Sequence, residues 1–211
     1  MLGMKPHIKQ IIQKDGSKLV YKVFDNLLTQ DEQEQLNTVF FDHDFPYYMS
    51  SAVGQKTVNE KAYDTWSDSN TVEARLMVHS FITDKEISRY YQGIEHLLHL
   101  FYKRTDIKFS GVYRCKLNLQ YQVADYNKDN YQCPHMDQVF DHKVLIYYPY
   151  TSDGDTFLFE RLDAKQYKIV DRIEPIGGRF LLMDKMFHAG QPPMLSQTRM
   201  SLNYNLMGVY K

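Results

Sequence analysis

The chain has 211 residues and a formal net charge of −1, with 43% hydrophobic and 24% charged residues. That balance fits one globular domain with a sizeable core and excludes a disordered chain. It has no dense Lys/Arg run, so nucleic acid is disfavoured as a partner.

Tyrosine and phenylalanine are abundant, at 17 and 12 residues, which leans the composition toward β structure and half-wet pockets. No stretch approaches the roughly 20 apolar residues of a membrane span. The opening MLGMKPHIKQ lacks the apolar centre and cleavage site of a signal peptide. Two cysteines, Cys115 and Cys133, are too few for a disulfide framework. The expectation is a cytoplasmic protein without membrane association or structural disulfides. Its oligomeric state cannot be read from the chain.

Residues 7–24 read as a β-hairpin, with IKQII and KLVYKVF flanking Asp15-Gly16, a pair that tolerates the positive φ of a tight turn. A helix is expected to start at Thr29, which stands in capping-box spacing with Glu32 and precedes Leu36, Val39 and Phe40 on one face. Residues 43–72 are polar and aromatic with several turn formers and read as irregular. A second helix is expected over 84–103. Thr83 and Glu86 form its capping box, and Ile87, Tyr91, Ile94, Leu98 and Phe101 form a stripe to pack on a sheet.

From Gly111 onward the pattern is that of strands. Over 111–122, Tyr113, Cys115, Leu117, Leu119 and Tyr121 alternate with Arg114, Lys116, Asn118, Gln120 and Gln122. Further strands are expected at 144–150, 155–160, 168–175, 178–184 and 198–209, separated by Ser152-Asp153-Gly154, Gly177-Gly178 and Pro192-Pro193. Short strands at this spacing make a sandwich or barrel, with helices supplied by the N-terminal half. No linker or internal repeat divides the chain, so one domain over 1–211 is expected.

Three residues can share a metal. His135 and Asp137, two apart, can point to the same side of an extended segment, and His188 follows about fifty residues later, directly after a strand. Two imidazoles and a carboxylate leave coordination positions open, as in non-haem Fe(II) oxygenases, although zinc could fill the same ligands. Arg199 then begins a strand on which Arg199, Ser201 and Asn203 share a face. A guanidinium there could pair with a structural carboxylate or grip the carboxylate of a co-substrate, with the serine hydroxyl beside it.

The order H-x-D, about fifty residues, H, then R-x-S resembles the 2-oxoglutarate/Fe(II)-dependent oxygenases. Leu145-Ile146-Tyr147-Tyr148 with Asp153-Gly154-Asp155-Thr156-Phe157, and Ile173-Glu174-Pro175 through Arg179-Phe180-Leu181-Leu182, resemble segments of their prolyl 4-hydroxylase-like branch. The likeness covers roughly residues 111–209. It implies a mainly β fold with N-terminal helices: a double-stranded β-helix (jelly-roll, cupin-like) core over 111–209, flanked by α-helices, with a hairpin and supporting helices over 1–110.

The resemblance further implies that His135, Asp137 and His188 ligate Fe(II), and that Arg199 and Ser201 receive the distal carboxylate of 2-oxoglutarate. Tyr148 and Tyr121 match the places of a tyrosine that assists them, although Tyr121 falls on the apolar side of its strand and Asn118 on the polar side could line the pocket instead. The implied reaction is hydroxylation of a prolyl residue or a small amino-acid-like molecule, using O2, with ascorbate as an accessory and release of succinate and CO2. The competing readings are a jelly-roll binding module without turnover and a cupin-like metalloenzyme that does not use 2-oxoglutarate.

Other residues have plainer readings. His96 and His99 are expected to be a packed or surface pair, His43-Asp44 a turn, and Cys133 a packed residue. His142 could touch substrate. Tyr47, Tyr48, Tyr126 and Tyr131 are expected to pack on strands.

Overall fold

A computed structural model describes residues 6–12, 16–50, 69–72, 74–162 and 167–210. Its strands are β1 (His7–Ile12), β2 (Lys18–Phe24), β3 (Tyr48–Ser50), β4 (Leu76–Ile82), β5 (Lys108–Tyr121), β6 (Lys143–Tyr147), β7 (Thr156–Arg161), β8 (Tyr167–Ile173), β9 (Phe180–Asp184), β10 (Phe187–Gly190) and β11 (Thr198–Tyr210). Among the described residues two α-helices, α1 (Gln30–Phe40) and α2 (Glu95–Thr105), lie in the N-terminal half. The chain is therefore mainly β with few helices.

The strands form two antiparallel sheets. The larger runs β1-β2-β9-β6-β11-β5-β4-β3 and the smaller β10-β7-β8. Strand alternation gives the large sheet two faces with different tasks. On one, Cys115, Leu117, Leu119, Leu145, Tyr147, Phe180, Leu182, Met200, Leu202 and Tyr204 are buried in one cluster with Leu36 and Phe40 of α1 and Leu97, Leu98 and Phe101 of α2. On the other, Val144, Ile146, Leu181 and Met183 pack with Leu158 of β7 and Ile173 of β8. The helices thus cover the outside of the large sheet, and the small sheet closes its inside.

Thr29 caps α1 as expected. Its hydroxyl accepts the Glu32 N–H at 3.3 Å, and the Glu32 carboxylate accepts the Thr29 N–H at 2.8 Å. Gly16 of the hairpin turn has φ +81°, while Asp15 lies outside the described residues.

The helix expected over 84–103 is shorter and starts later. The Thr83 hydroxyl accepts the N–H groups of Lys85 and Glu86, but in a tight turn closed by the Ile82–Ile87 bridge, leaving Ile87 67% exposed. A threonine side chain can cap a turn as well as a helix, and here pairing with β4 decides between them. Ser88 then caps a short 3-10 turn, Arg89–Gly93, that leads into α2.

Three strands went unread in the sequence. β3 lies inside the 43–72 segment whose composition predicts irregular structure and of which 51–68 lie outside the described residues, β4 pairs with β5 along its length, and β10 carries His188. Strands β1 to β4 extend the same sheet as β5, so the N-terminal 110 residues supply sheet as well as helix. Among the described residues, no helix is long and apolar enough to cross a membrane.

Candidate metal centre

The pairing of β5 with β11 organises the site. Both strands alternate polar and apolar residues, and their register sets the polar ones opposite each other facing the small sheet: Gln120 with Arg199, Asn118 with Ser201, Lys116 with Asn203 and Arg114 with Asn205. Successive pairs on one face are about 7 Å apart along the strands. The other alternate residues, Cys115, Leu117, Met200, Leu202 and Tyr204, are buried against the helices.

The first pair holds a buried guanidinium. Arg199 is 3% exposed. Its Nε donates to the Gly154 carbonyl, its Nη1 to Gln120 Oε1 at 2.6 Å and its Nη2 to Thr156 Oγ1 at 2.6 Å. Gln120 is in turn aimed by Gln132 (2.7 Å), which donates to the Ala74 carbonyl at 3.1 Å. Among the described residues the hydrogen-bond partners of Arg199 are all neutral. Burial pulls its pKa down from the ordinary value, opposed first by Tyr148 and then by Asp155. A buried cation without a direct anionic partner is costly, and a guanidinium fork has N–H groups beyond those three acceptors with which to take one.

The fourth pair holds the carboxylate of Asp137. Arg114 Nη2 donates to Oδ1 at 2.6 Å and Asn205 Nδ2 to Oδ2 at 2.8 Å, while Arg114 Nε donates to Asn205 Oδ1 at 2.7 Å. Burial would raise the Asp137 pKa, but the charge of Arg114 leads the opposing influences, among them the Asn205 hydrogen bond, that hold the group far below the carboxylate range.

His135 and His188 face each other through an isolated antiparallel bridge with both N–H···O bonds at 3.0 Å, which places the ring centroids 4.8 Å apart. Their Nδ1 atoms lie 3.1 Å from the carbonyls of Cys133 and Met186, which fixes Nδ1 as the donor and turns Nε2 toward Asp137. The Nε2 atoms stand 3.8 and 3.9 Å from the Asp137 oxygens. His188 Nε2 is buried without a hydrogen-bond partner. The ligand atoms of His135, Asp137 and His188 lie within 4.8 Å of one another, and among the described residues theirs is the one such group able to share an ion. Burial and the neighbouring His188 pull His135 down to about 4, so it is a neutral imidazole at neutral pH, as a metal ligand must be. An orphaned buried nitrogen, fixed tautomers and two nitrogens plus one oxygen suit a divalent first-row metal with open positions.

Both assemblies open into one cavity of about 470 Å³, measured out to its mouth. His135, Asp137, His188, Arg199, Ser201 and Asn118 all line it, so six of the eight expected site residues come together. The two tyrosines do not. Tyr121 is 51% exposed at the end of β5, because its strand parity turns it away from the cavity. Tyr148 is buried one layer behind: its hydroxyl bonds Thr156 Oγ1 at 2.7 Å and its ring centroid lies 5.7 Å from the Arg199 guanidinium carbon. It supports Arg199 through Thr156 rather than lining the cavity.

Lining residues not singled out from the sequence as site residues include Lys116, Gln120, Gln132, Thr156 and Asn203. Their signal was present for β5 and β11, as the polar halves of two alternating strands, but the register that turns both halves to one cavity depends on pairing over a long sequence separation. Burial, with Arg114 alongside, pulls Lys116 down to about 8.

Among the remaining residues, His142 is buried and is not part of the cavity lining; its Nδ1 lies 2.9 Å from the Phe140 carbonyl and its Nε2 is without a hydrogen-bond partner. His96 and His99 are exposed on α2, and His43 pairs with Asp44 on the surface. Cys133 is buried. Tyr131 packs between Phe157 and Phe159, Tyr126 donates to the Val72 carbonyl, Tyr47 to the Phe40 carbonyl, and Tyr48 is 61% exposed.

No family model matches the chain, and no curated protein does. Solved structures do. A 2OG-Fe(II) oxygenase family oxidoreductase from Burkholderia pseudomallei is similar at a TM-score of 0.60, with 10% identity, covering 89% of this chain and 84% of that one. A Trichoplax adhaerens prolyl hydroxylase, in complex with a hypoxia inducible factor oxygen degradation domain peptide fragment, gives 0.55 at 14% identity over 89% and 83%. A Pseudomonas putida prolyl-4-hydroxylase gives 0.50 at 12% identity over 89% and 92%. At these identities the likeness is one of fold, and function must be argued from the site.

Proposed function

We propose that this chain is an Fe(II)- and 2-oxoglutarate-dependent oxygenase of the prolyl hydroxylase-like kind, built on a jelly-roll core with helices flanking it. The observation that carries the reading is Arg199. It is a buried guanidinium with only neutral partners, opening into the same cavity as a His-Asp-His group able to hold a metal. A metal site that takes no anionic co-substrate has no use for such a cation. The fold shared with 2OG-Fe(II) oxygenases supports the reading.

In this reading His135, Asp137 and His188 hold the metal by Nε2, a carboxylate oxygen and Nε2. Fe(II) with bound 2-oxoglutarate would supply oxidative decarboxylation of the co-substrate to succinate and CO2, coupled through O2 to hydroxylation of a substrate C–H bond. Arg199 receives the distal carboxylate through its free N–H groups, with the Ser201 hydroxyl beside it and Asn118 opposite Ser201 across the ladder. The backbone carbonyls behind His135 and His188 accept from Nδ1 of each ring, so Nε2 is the nitrogen that each ring presents to the metal. The substrate class proposed is a prolyl residue or a small amino-acid-like molecule, with ascorbate as an accessory.

The test is succinate formation from 2-oxoglutarate that requires added Fe(II) and is abolished in His135→Ala and Asp137→Ala while both variants keep the wild-type circular dichroism spectrum. Full succinate formation in either folded variant would remove the ligand assignment.

A further inference from the structure

Between the guanidinium at one end of the β5–β11 ladder and the Asp137 cradle at the other lies a pair that neither assembly uses. Lys116 and Asn203 are directly opposite each other and both line the cavity. Directly opposed residues begin with Cβ atoms about 5 Å apart. Among the described residues Lys116 makes no hydrogen bond or ion pair. Asp137, the acidic group closest to it in the cavity lining, has both oxygens engaged by Arg114 and Asn205. The amide oxygen of Asn203 is buried without a partner.

An open ammonium beside an open amide oxygen calls for an anion next to an N–H donor. A free α-amino acid carries both on adjacent bonds, whereas an interior residue of a polypeptide offers an N–H and no carboxylate. The pair stands one step along the ladder from the residues that hold Asp137 and two steps from Arg199, so a molecule held there would sit beside the metal without displacing an anion from the guanidinium. Resting on the oxygenase reading, in which 2-oxoglutarate occupies Arg199, we propose that Lys116 and Asn203 form a subsite for the carboxylate and amino groups of the primary substrate, which is a free amino acid or a close derivative.

The probes are the common free L-amino acids, each compared with its primary amide, and a peptide with an internal proline. Each is titrated into the anaerobic Fe(II)·2-oxoglutarate complex of the full chain while the visible charge-transfer band is followed. At least one free acid should perturb the band, with its amide at least about tenfold weaker. Lys116→Met should lower the acid to the level of its amide, Lys116→Arg should keep the preference, and neither should change the 2-oxoglutarate titration by more than about twofold. Weakened 2-oxoglutarate binding in Lys116→Met would assign the ammonium to the co-substrate and overturn the proposal. A response from the peptide alone, equal responses to acid and amide, or no response from any free acid would overturn it too. If 2-oxoglutarate produces no band in the wild-type protein, the oxygenase reading itself fails and the subsite falls with it.

Discussion

The Gly154 carbonyl accepts the Nε hydrogen of Arg199, and the same glycine leaves the space in which that side chain lies: an added Cβ would stand 2.8 Å from Arg199 Cδ and clash with the Gln191 carbonyl oxygen. The loop between β6 and β7 is thereby fitted to the guanidinium from above, while Thr156, two residues on, binds it from the side. Asp153 fastens the same turn to the chain before β11 by accepting the N–H groups of Met194, Leu195 and Ser196 at 3.1, 2.7 and 3.0 Å.

Gly154→Ala should therefore act on co-substrate binding as well as on stability. The backbone of Gln191 cannot swing away as a flexible side-chain tip could, so overpacking should cost about 1–3 kcal/mol. Thermal unfolding checks the first effect. A rise in the 2-oxoglutarate dissociation constant with unchanged metal affinity checks the second, since Arg199 and not the triad is displaced.

Arg114 and Asn205 should set metal affinity without touching the metal. They occupy one hydrogen-bonding direction on each oxygen of Asp137 and so fix the orientation of the carboxylate. Partners of this kind are typically worth about 10–100-fold in metal affinity. Arg114→Met should weaken Co(II) binding, followed by its visible spectrum, by that order. Asn205→Ala should do so less, because it removes a neutral donor. Unchanged Co(II) binding in both would show that Asp137 is positioned by something else.

How much of this was legible in the sequence depends on the range of the interaction. The cap at Thr29 was readable because its partner Glu32 is one helical turn away. Thr83 and Glu86 have the same spacing but close a turn, since the strand β4 that ends just before them is held by pairing with the distant β5. The spacing of His135, Asp137, His188 and Arg199 gave the candidate site, and all four line one cavity. The supporting shell was not legible. Gln120 reaches Arg199 across 79 positions and Asn205 reaches Asp137 across 68, distances over which no periodicity in a single strand carries information. Tyr148 shows the reverse: its sequence context suggested cavity contact, but the side chain ends on Thr156.

Away from the site, Glu32 joins α1 to α2 through a two-pronged pair with Arg104, both N···O distances being 2.7 Å. The Arg104 hydrogen bonds, joined by those from Thr29 and by the Arg104 charge, hold its carboxyl at about 2, against an ordinary 4.5, with burial opposing them. A depressed carboxylate pKa contributes stability that is fully present above the unfolded value and is lost as pH falls through the folded one. Glu32→Gln should thus be less stable than wild type at neutral pH, and the gap should close between about 4.5 and 2. Urea midpoints across that range check it. A pH-independent gap would show that the pair contributes by shape alone.

The most direct test of the central claim is anaerobic addition of Fe(II) and then 2-oxoglutarate to the metal-free protein, with wild type and Arg199→Met side by side. The account predicts a visible metal-to-ligand charge-transfer band in the wild type. In the variant it predicts that iron binds as before but the band requires at least about tenfold more 2-oxoglutarate. Iron binding without a band in the wild type would contradict the co-substrate role of Arg199 and favour a cupin-like metal site, and failure to bind iron would leave a jelly-roll binding module.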